Sequence, residues 1–407
     1  MTDRILNMGV IGLGRAFTLM LPALSRHPYV RLAAAADPRP EALRQFAADF
    51  AAKTYRTAAD LCADPAVEAV YIASPHEFHV EHVTAAAAHR KHILVEKPMA
   101  LTLKDCAAMI EAARKAGVHM IVGHSHSFDA PYRRTRKLIA GGAYGPVRMI
   151  TALNFTDFLY RPRRPEELAT ELGGGAVFGQ APHQVDIVRL LGGGLVGSVR
   201  AGTGVWDRER PTEGAYSAFL TFAHGACASL TYSGYGHFDT DELCDWIGEM
   251  GQPRGRNDYG SARRLLRAVT TPDAETALKT KRAYGVGSSF SAVPPSAHNH
   301  FGFVVVSCEK ADLRPLPHGV MIYADEKRDF EAIAPPSIPR AEVIDELFDA
   351  IAGARAPLHT GEWGMATMEV CFSLLQSARE GREIHLQHQV PDRSQYVGQR
   401  GKTGGSH

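Results

Sequence analysis

An α/β domain built on a parallel sheet, followed by an α+β domain with a large mixed or antiparallel sheet, is the fold that this 407-residue sequence predicts. The first observation behind it is an alternation running from Leu6 to about Val122. The apolar runs LNMGVIG, VRLAAAAD, VEAVYIAS, HILVEK and HMIVG are separated by the amphipathic stretches AFTLMLPALSRH, PEALRQFAADF, FHVEHVTAAAAHR and LKDCAAMIEAARKAG. Short continuous apolar strands between helix-period segments are βαβ units, and strands joined that way must lie parallel, with helices covering both faces.

The second observation is a change of pattern after about His126. A helix over Ala130 to Ala140 is followed by longer, partly alternating runs, VRMITALNF, SVRAGTGVW, YSAFLTF and CASLTYSGY. The last two flank FAHGAC, where His224-Gly225 suits a hairpin turn. Helices at about Pro182 to Leu191, Ala341 to Ala352 and Trp363 to Glu380 complete the second domain. The boundaries are therefore residues 1–125 for the first domain, 126–388 for the second and 389–407 for a polar, Gly-rich tail expected to be loose. Within the second domain, about 248–295 is rich in Arg, Gly and Pro without periodicity. It reads as an insertion forming a surface arm or a subunit contact.

Composition excludes several functions. The 45 Lys and Arg nearly cancel the 44 Asp and Glu, so the basic excess that phosphate neutralisation would need is missing and no nucleic-acid partner is expected. No apolar run approaches the roughly 18 residues of a membrane span, and the N-terminus carries no signal core; a cytoplasmic protein without a membrane partner is expected. Six widely spaced cysteines form no C-x-x-C pair and read as reduced structural residues.

Chemistry enters at the end of the first strand. Gly12-Leu13-Gly14-Arg15-Ala16-Phe17 leads into a helix, the context in which a glycine-rich turn becomes a dinucleotide fingerprint of the Rossmann type. Gly12 permits the tight turn, Gly14 lets backbone approach a pyrophosphate, and the helix N-terminus offers free N–H groups to it. Phe17 replaces the usual third glycine, which governs how closely helix and strand pack. Asp37, 25 positions after Gly12 at the end of the second strand, is placed to accept hydrogen bonds from an adenosine ribose. Its charge repels a 2′-phosphate, so NAD is favoured over NADP, with Arg39 as the feature that argues the other way. Ser74-Pro75-His76 and Glu96-Lys97-Pro98 close the fourth and fifth strands at the carboxyl edge, where open α/β sheets bind ligands.

The turn, Ser74-Pro75-His76 with His79, Glu96-Lys97-Pro98, the segment from Gly173-Gly174-Gly175 to His183-x-x-Asp186 and the closing helix WGMATMEVCFSLLQSAREGREI together resemble the Gfo/Idh/MocA oxidoreductases over about residues 5 to 386. Within that family, GGGAVFGQAPHQVDIVRLLGG, FDTDELCDWIGEMGQ and HFGFVVVSCEKADLRPLPHGVMIY look most like the phthalate 4,5-cis-dihydrodiol dehydrogenases. The resemblance implies a catalytic Lys97 near the nicotinamide and the substrate hydroxyl, a homodimer or homotetramer, and a cofactor site that includes Ser74, Pro75, His76, His79, Glu96 and Lys97. Most of the family carries a carboxylate four positions before His183, where this sequence has Gly179. His183 is then the second catalytic candidate, with Asp186 three residues on able to orient it and Gln180 able to hydrogen-bond the substrate.

A phthalate-type substrate carries carboxylates and calls for cations. Arg161, Arg163 and Arg164 are the first candidates, His298 and His300 the next. The expected reaction is NAD-dependent oxidation of phthalate cis-4,5-dihydrodiol to 4,5-dihydroxyphthalate in aromatic degradation. Its rivals are a sugar or cyclitol dehydrogenase of the same family and a non-catalytic NAD-binding sensor. The spacing of His76, His79 and His82, with His124 and His126 at a strand end, is suggestive of metal ligands, but no carboxylate or Cys completes a zinc pattern, and no metal is expected.

Overall fold

The computed structural model describes residues 4–255, 259–285 and 295–392. Six strands, β1 (Leu6–Ile11), β2 (Val30–Ala36), β3 (Lys53–Tyr55), β4 (Ala69–Ile72), β5 (His92–Val95) and β6 (Met120–Val122), form one parallel sheet in the order β3-β2-β1-β4-β5-β6. The order reverses beside β1, so a crevice opens between the carboxyl ends of β1 and β4. Nearly every residue of β1, β4 and β5 is buried, as a strand covered on both faces requires.

The second sheet has nine strands: β7 (Val147–Phe155), β8 (Val196–Gly204), β9 (Ala215–Phe222), β10 (Cys227–Ser233), β11 (Phe303–Cys308), β12 (Ala311–Leu316), β13 (Gly319–Ala324), β14 (Arg328–Ala332) and β15 (Ile384–His385), ordered β14-β13-β12-β11-β7-β10-β9-β8-β15. Only β7 and β10 pair in parallel. The β9–β10 hairpin turns at Gly225, whose φ of +90° is open to glycine. Strands alternate buried and less buried residues, so one face is packed and the other open.

Two helices from the end of the chain return to the first domain. In the helix Ala341–Ile351, Val343, Ile344, Leu347 and Phe348 join the core that holds Leu21 and Leu24; burial of such side chains contributes about 1.5–3 kcal/mol each. The helix Gly361–Glu380 starts on the Thr360 cap, which accepts from Trp363 N, and runs between the two sheets. A side chain at Gly364 would come within 2.6 Å of Val122 in β6, while Ser377 Oγ accepts from Ala201 N of β8 at 2.9 Å.

Two expectations need correction. The insertion is not without regular structure, since it holds the helices Ser261–Arg267 and Pro272–Thr280, short pieces whose amphipathic pattern is too brief to register as periodicity. The start of the tail is also ordered: Asp392 is buried and pairs with Arg136 at 2.6 Å, and Gln389 accepts from Arg189 Nε at 3.0 Å. Residues 256–258, 286–294 and 393–407, the last being the rest of the tail, lie outside the described residues. Among the described residues no helix is long and apolar enough to cross a membrane.

Candidate active site

The glycine-rich turn has the shape its residues dictate. A side chain at Gly12, where φ is +92°, would stand 2.7 Å from Ser74 N, whereas the space beside Gly14 is open. The helix Arg15–Arg26 starts on Gly14 without a side-chain cap, so its first N–H groups face that open space. These features fit the diphosphate of a dinucleotide. Asp37 is buried at the tip of β2 and accepts from Leu13 N at 2.7 Å and from Arg39 N and Nε, both at 2.9 Å. Phe17, Ala16 and Leu13 belong to the core beneath the turn. Ser74 Oγ bonds His82 at 2.9 Å, Pro75 caps the turn His76–Phe78, and His76 Nε2 bonds Leu172 O at 2.9 Å. Buried His79 lies among the carbonyls of Ser74, Pro98 and Met99 at 3.1–3.2 Å, and burial pushes its pKa down to about 4. It is a neutral prop that fixes the turn after Lys97, where the sequence reading had it line the cofactor site.

Lys97 projects from the end of β5. Burial lowers its pKa, with the Glu96 and Glu249 carboxylates pulling the other way. Its Nζ donates to Gly179 O at 3.0 Å, an acceptor shared with Gln180 Nε2 at 3.0 Å. Gly179 therefore contributes a backbone carbonyl to Lys97, and a side chain there would lie 2.8 Å from the Phe158 ring. Beside Lys97, Glu96 accepts from Tyr71 OH at 2.5 Å, and burial raises its pKa.

His183 is buried close by, its ring 4.8 Å from that of His126 and 5.2 Å from Phe301, and its Nδ1 has no hydrogen-bond partner among the described residues. Burial, then the charge of Lys97, holds it far below the ordinary imidazole pKa, hence neutral. Asp186 does not orient it. That carboxylate, on the helix Ala181–Leu191, accepts instead from Ser125, Ser127, Trp363 Nε1 at 2.5 Å and Thr367 at 2.9 Å. Three apart on a helix brings two residues to neighbouring positions, but packing decided where each points.

Sequence reasoning left several neighbours out of the site. His126 bonds Asp129 at 2.8 Å and lies 3.5 Å from Glu249; burial works against its charge, but those carboxylates raise its pKa above the usual imidazole value. Glu249, despite burial, is held down to about 2 by His126, Arg161 and Lys97. His124 reaches Asp129 at 3.4 Å and is pushed down to about 3 by burial and by Arg340. The fold thus supplies a carboxylate that the sequence pattern lacked, and donor atoms of His124, His126 and Asp129 lie within 4.8 Å of one another. These contacts are met as hydrogen bonds inside the triad, to which Asn299 adds a donor at 3.3 Å. Arg340 is buried at φ +61° before the helix Ala341–Ile351, touching Met250 Sδ at 3.4 Å. His124-x-His126 was a visible signal; Glu249 and Arg340 carry no local one.

The proposed carboxylate contacts separate. Arg161 lines a cavity of about 450 Å³ with Asn154, Glu249, Arg254, Arg282 and His300, and its Nε bonds Asp157 at 2.9 Å. Arg163 is buried, stacked 3.6 Å over Phe158 and donating to Phe158 O at 2.7 Å, with burial pushing its pKa down to about 10. Arg164 is more exposed and pairs with Glu166 and Glu167, apart from the cavity lining. His298 bonds Ala334 O at 2.8 Å. His300 lines the cavity but both ring nitrogens are used, one by Ile247 O at 2.7 Å and one by Gly302 N at 3.0 Å.

Residues 6–124 match the oxidoreductase family with an NAD-binding Rossmann fold, and 132–252 match the GFO/IDH/MocA C-terminal domain. The chain belongs to the Gfo/Idh/MocA oxidoreductases. Among its relatives in that family is the 1-carboxy-3-chloro-3,4-dihydroxycyclohexa-1,5-diene dehydrogenase of Comamonas testosteroni, 48% identical over 92% of this chain and 95% of the relative. The myo-inositol 2-dehydrogenase of Thermotoga maritima is 28% identical over 61% of this chain and 74% of its own length. A crystal structure of a Bordetella bronchiseptica RB50 protein assigned as a dehydrogenase superposes with a TM-score of 0.89 at 40% identity, covering 94% of this chain and all of that one. The Gfo/Idh/MocA chain is accordingly an NAD-dependent dehydrogenase, and its glycine-rich turn lies within the residues that match the NAD-binding Rossmann fold.

Proposed function

We propose that this enzyme oxidises a carboxylated aromatic cis-dihydrodiol, and specifically phthalate cis-4,5-dihydrodiol, to the catechol. The observation that carries the reading is the lone base. Lys97, its pKa lowered by burial, is bonded to a backbone carbonyl with no carboxylate partner at position 179. Oxidation of a dihydrodiol asks for little more, because the product ketone tautomerises to an aromatic catechol and the reaction runs downhill. The Comamonas relative acts on a carboxylated dihydroxycyclohexadiene by its name, which supports the same substrate class.

NAD, when bound, supplies the two-electron acceptor for the carbinol hydrogen. Neutral Lys97 takes the hydroxyl proton on its amine lone pair while an N–H stays on Gly179 O, and neutral His183 offers a second hydrogen-bonding atom for the diol. His79, by bracing the carbonyls of Pro98 and Met99, holds Lys97 in place. Arg161, on the cavity wall, binds a carboxylate with its remaining N–H groups, and buried Arg163 adds positive field. Glu249 offsets part of that field, so the cavity is mixed in charge.

The experiment is steady-state NADH production on cis-dihydrodiols bearing two, one or no carboxylates, against inositol and glucose. The expected ranking of kcat/KM follows carboxylate number. Equal turnover of an uncharged diol removes the role of Arg161, and preferential turnover of inositol replaces this reading with a cyclitol dehydrogenase.

A further inference from the structure

The insertion does not project outward from the second domain. Its helix Pro272–Thr280 is tied to the body of that domain, since Glu275 accepts from Arg163 N at 2.6 Å and from Arg210 Nη1 at 2.7 Å and Lys279 pairs with Glu167. The following residues then cross to the first domain and land on the glycine-rich turn. Tyr284 N donates to Leu13 O at 3.1 Å, and Arg282 O accepts from Thr18 Oγ1 at 3.3 Å. The Tyr284 ring stands edge-on to Phe17 at 5.3 Å and packs on Phe46 and Phe50, while its hydroxyl donates to Asp49. Gly285, at φ +84°, lies so close that a side chain there would be 2.7 Å from Ala42 Cα.

Phe17, the departure from the three-glycine pattern, is thus the seat of this arm. The arm also determines what Arg39 can do. That guanidinium is held by Asp37 Oδ1 at 2.9 Å, Leu13 O at 2.8 Å and Tyr284 O at 3.3 Å. It is the basic side chain the sequence places to greet a 2′-phosphate, and here most of its donors are turned to protein acceptors.

We propose that residues 282–285 are a cofactor-selectivity element: seated on Phe17, they lock Arg39 against Asp37 and the Tyr284 carbonyl, and so keep the adenosine end selective for a free 2′-hydroxyl over a 2′-phosphate. The element acts on the cofactor alone and stands whatever the substrate is. Arg282 also borders the cavity that Arg161 lines, while its carbonyl accepts from Thr18 Oγ1.

The test is direct binding of NADH and NADPH to the purified enzyme, followed by nicotinamide fluorescence without any substrate. Two variants dislodge the arm by different means: Tyr284→Ala removes the aromatic seat, and Gly285→Val cannot keep the positive φ or the approach to Ala42. In each, the ratio of the NADPH to the NADH dissociation constant is expected to fall roughly tenfold or more, while Tyr284→Phe, which keeps the ring, stays near the parent. Adding Arg39→Ala to Tyr284→Ala should cancel the gain in NADPH binding. A thermal melt checks that each variant is folded. An unchanged ratio in both folded arm variants, even with both cofactors weakened equally, overturns the selectivity role and leaves the arm a mere brace.

Discussion

The two walls of the catalytic cleft are assembled in different ways. The wall contributed by the parallel sheet takes Glu96 and Lys97 from one strand end and His124 and His126 from the next, with His79 bracing from a neighbouring turn. The facing wall collects Arg161 from the loop after β7, Glu249 from the insertion and His300 from the approach to β11. The first wall is a product of strand ends that must converge in any open α/β sheet; the second exists only when distant loops dock. The proposed function puts proton transfer on the first wall and substrate selection on the second, with Glu249 the residue of the second wall whose charge reaches Lys97.

The largest effect that would break this division is expected at Lys97. Lys97→Ala should lower kcat by about 10²–10⁴-fold with NADH affinity within a few-fold, measured by steady-state kinetics and fluorescence titration; an active variant would move proton transfer elsewhere. Next comes Arg161→Met, which should cost about 1.5–3 kcal/mol in kcat/KM for a carboxylated diol and little for an uncharged one. A similar loss on both would mean that Arg161 serves the fold and not the substrate.

A smaller, signed effect links the walls. Oxidation needs neutral Lys97, so kcat/KM should rise with pH through a pKa below the ordinary lysine value, given the lowering by burial. Glu249 raises that pKa, so Glu249→Gln should shift the rising limb to lower pH. A limb moving upward in pH contradicts the assigned coupling. The smallest effect is expected for His298→Gln, whose ring bonds Ala334 O away from the cavity lining; kcat/KM should stay within about twofold, less than one hydrogen bond's worth.

What was legible follows the same division. The βαβ alternation reveals the parallel sheet because each strand is buried on both faces and so reads as a continuous apolar run. The places of Gly12, Asp37 and Lys97 in the fold could be read because each is set relative to a strand end. The partners of Asp186 could not: the helical spacing offered His183, but Ser125, Ser127, Trp363 and Thr367 come from two other segments. Likewise the Arg161 to Arg164 run reads as one cationic patch, and only packing separates Arg161 on the cavity wall from Arg163 against Phe158 and Arg164 among glutamates. The order of residues 389–392 rests on buried contacts with Arg136 and Arg189, more than 190 residues upstream.

The helix Gly361–Glu380 is wedged against β6 through its glycines and fastened to β8 through Ser377, while Trp363 holds both Asp186 and, through its carbonyl, Arg189. A beam seated in both sheets resists a swing of the two halves about each other. Opening and closing around a ligand is then expected to be local, and amide exchange along this helix should be among the slowest in the molecule, with or without cofactor.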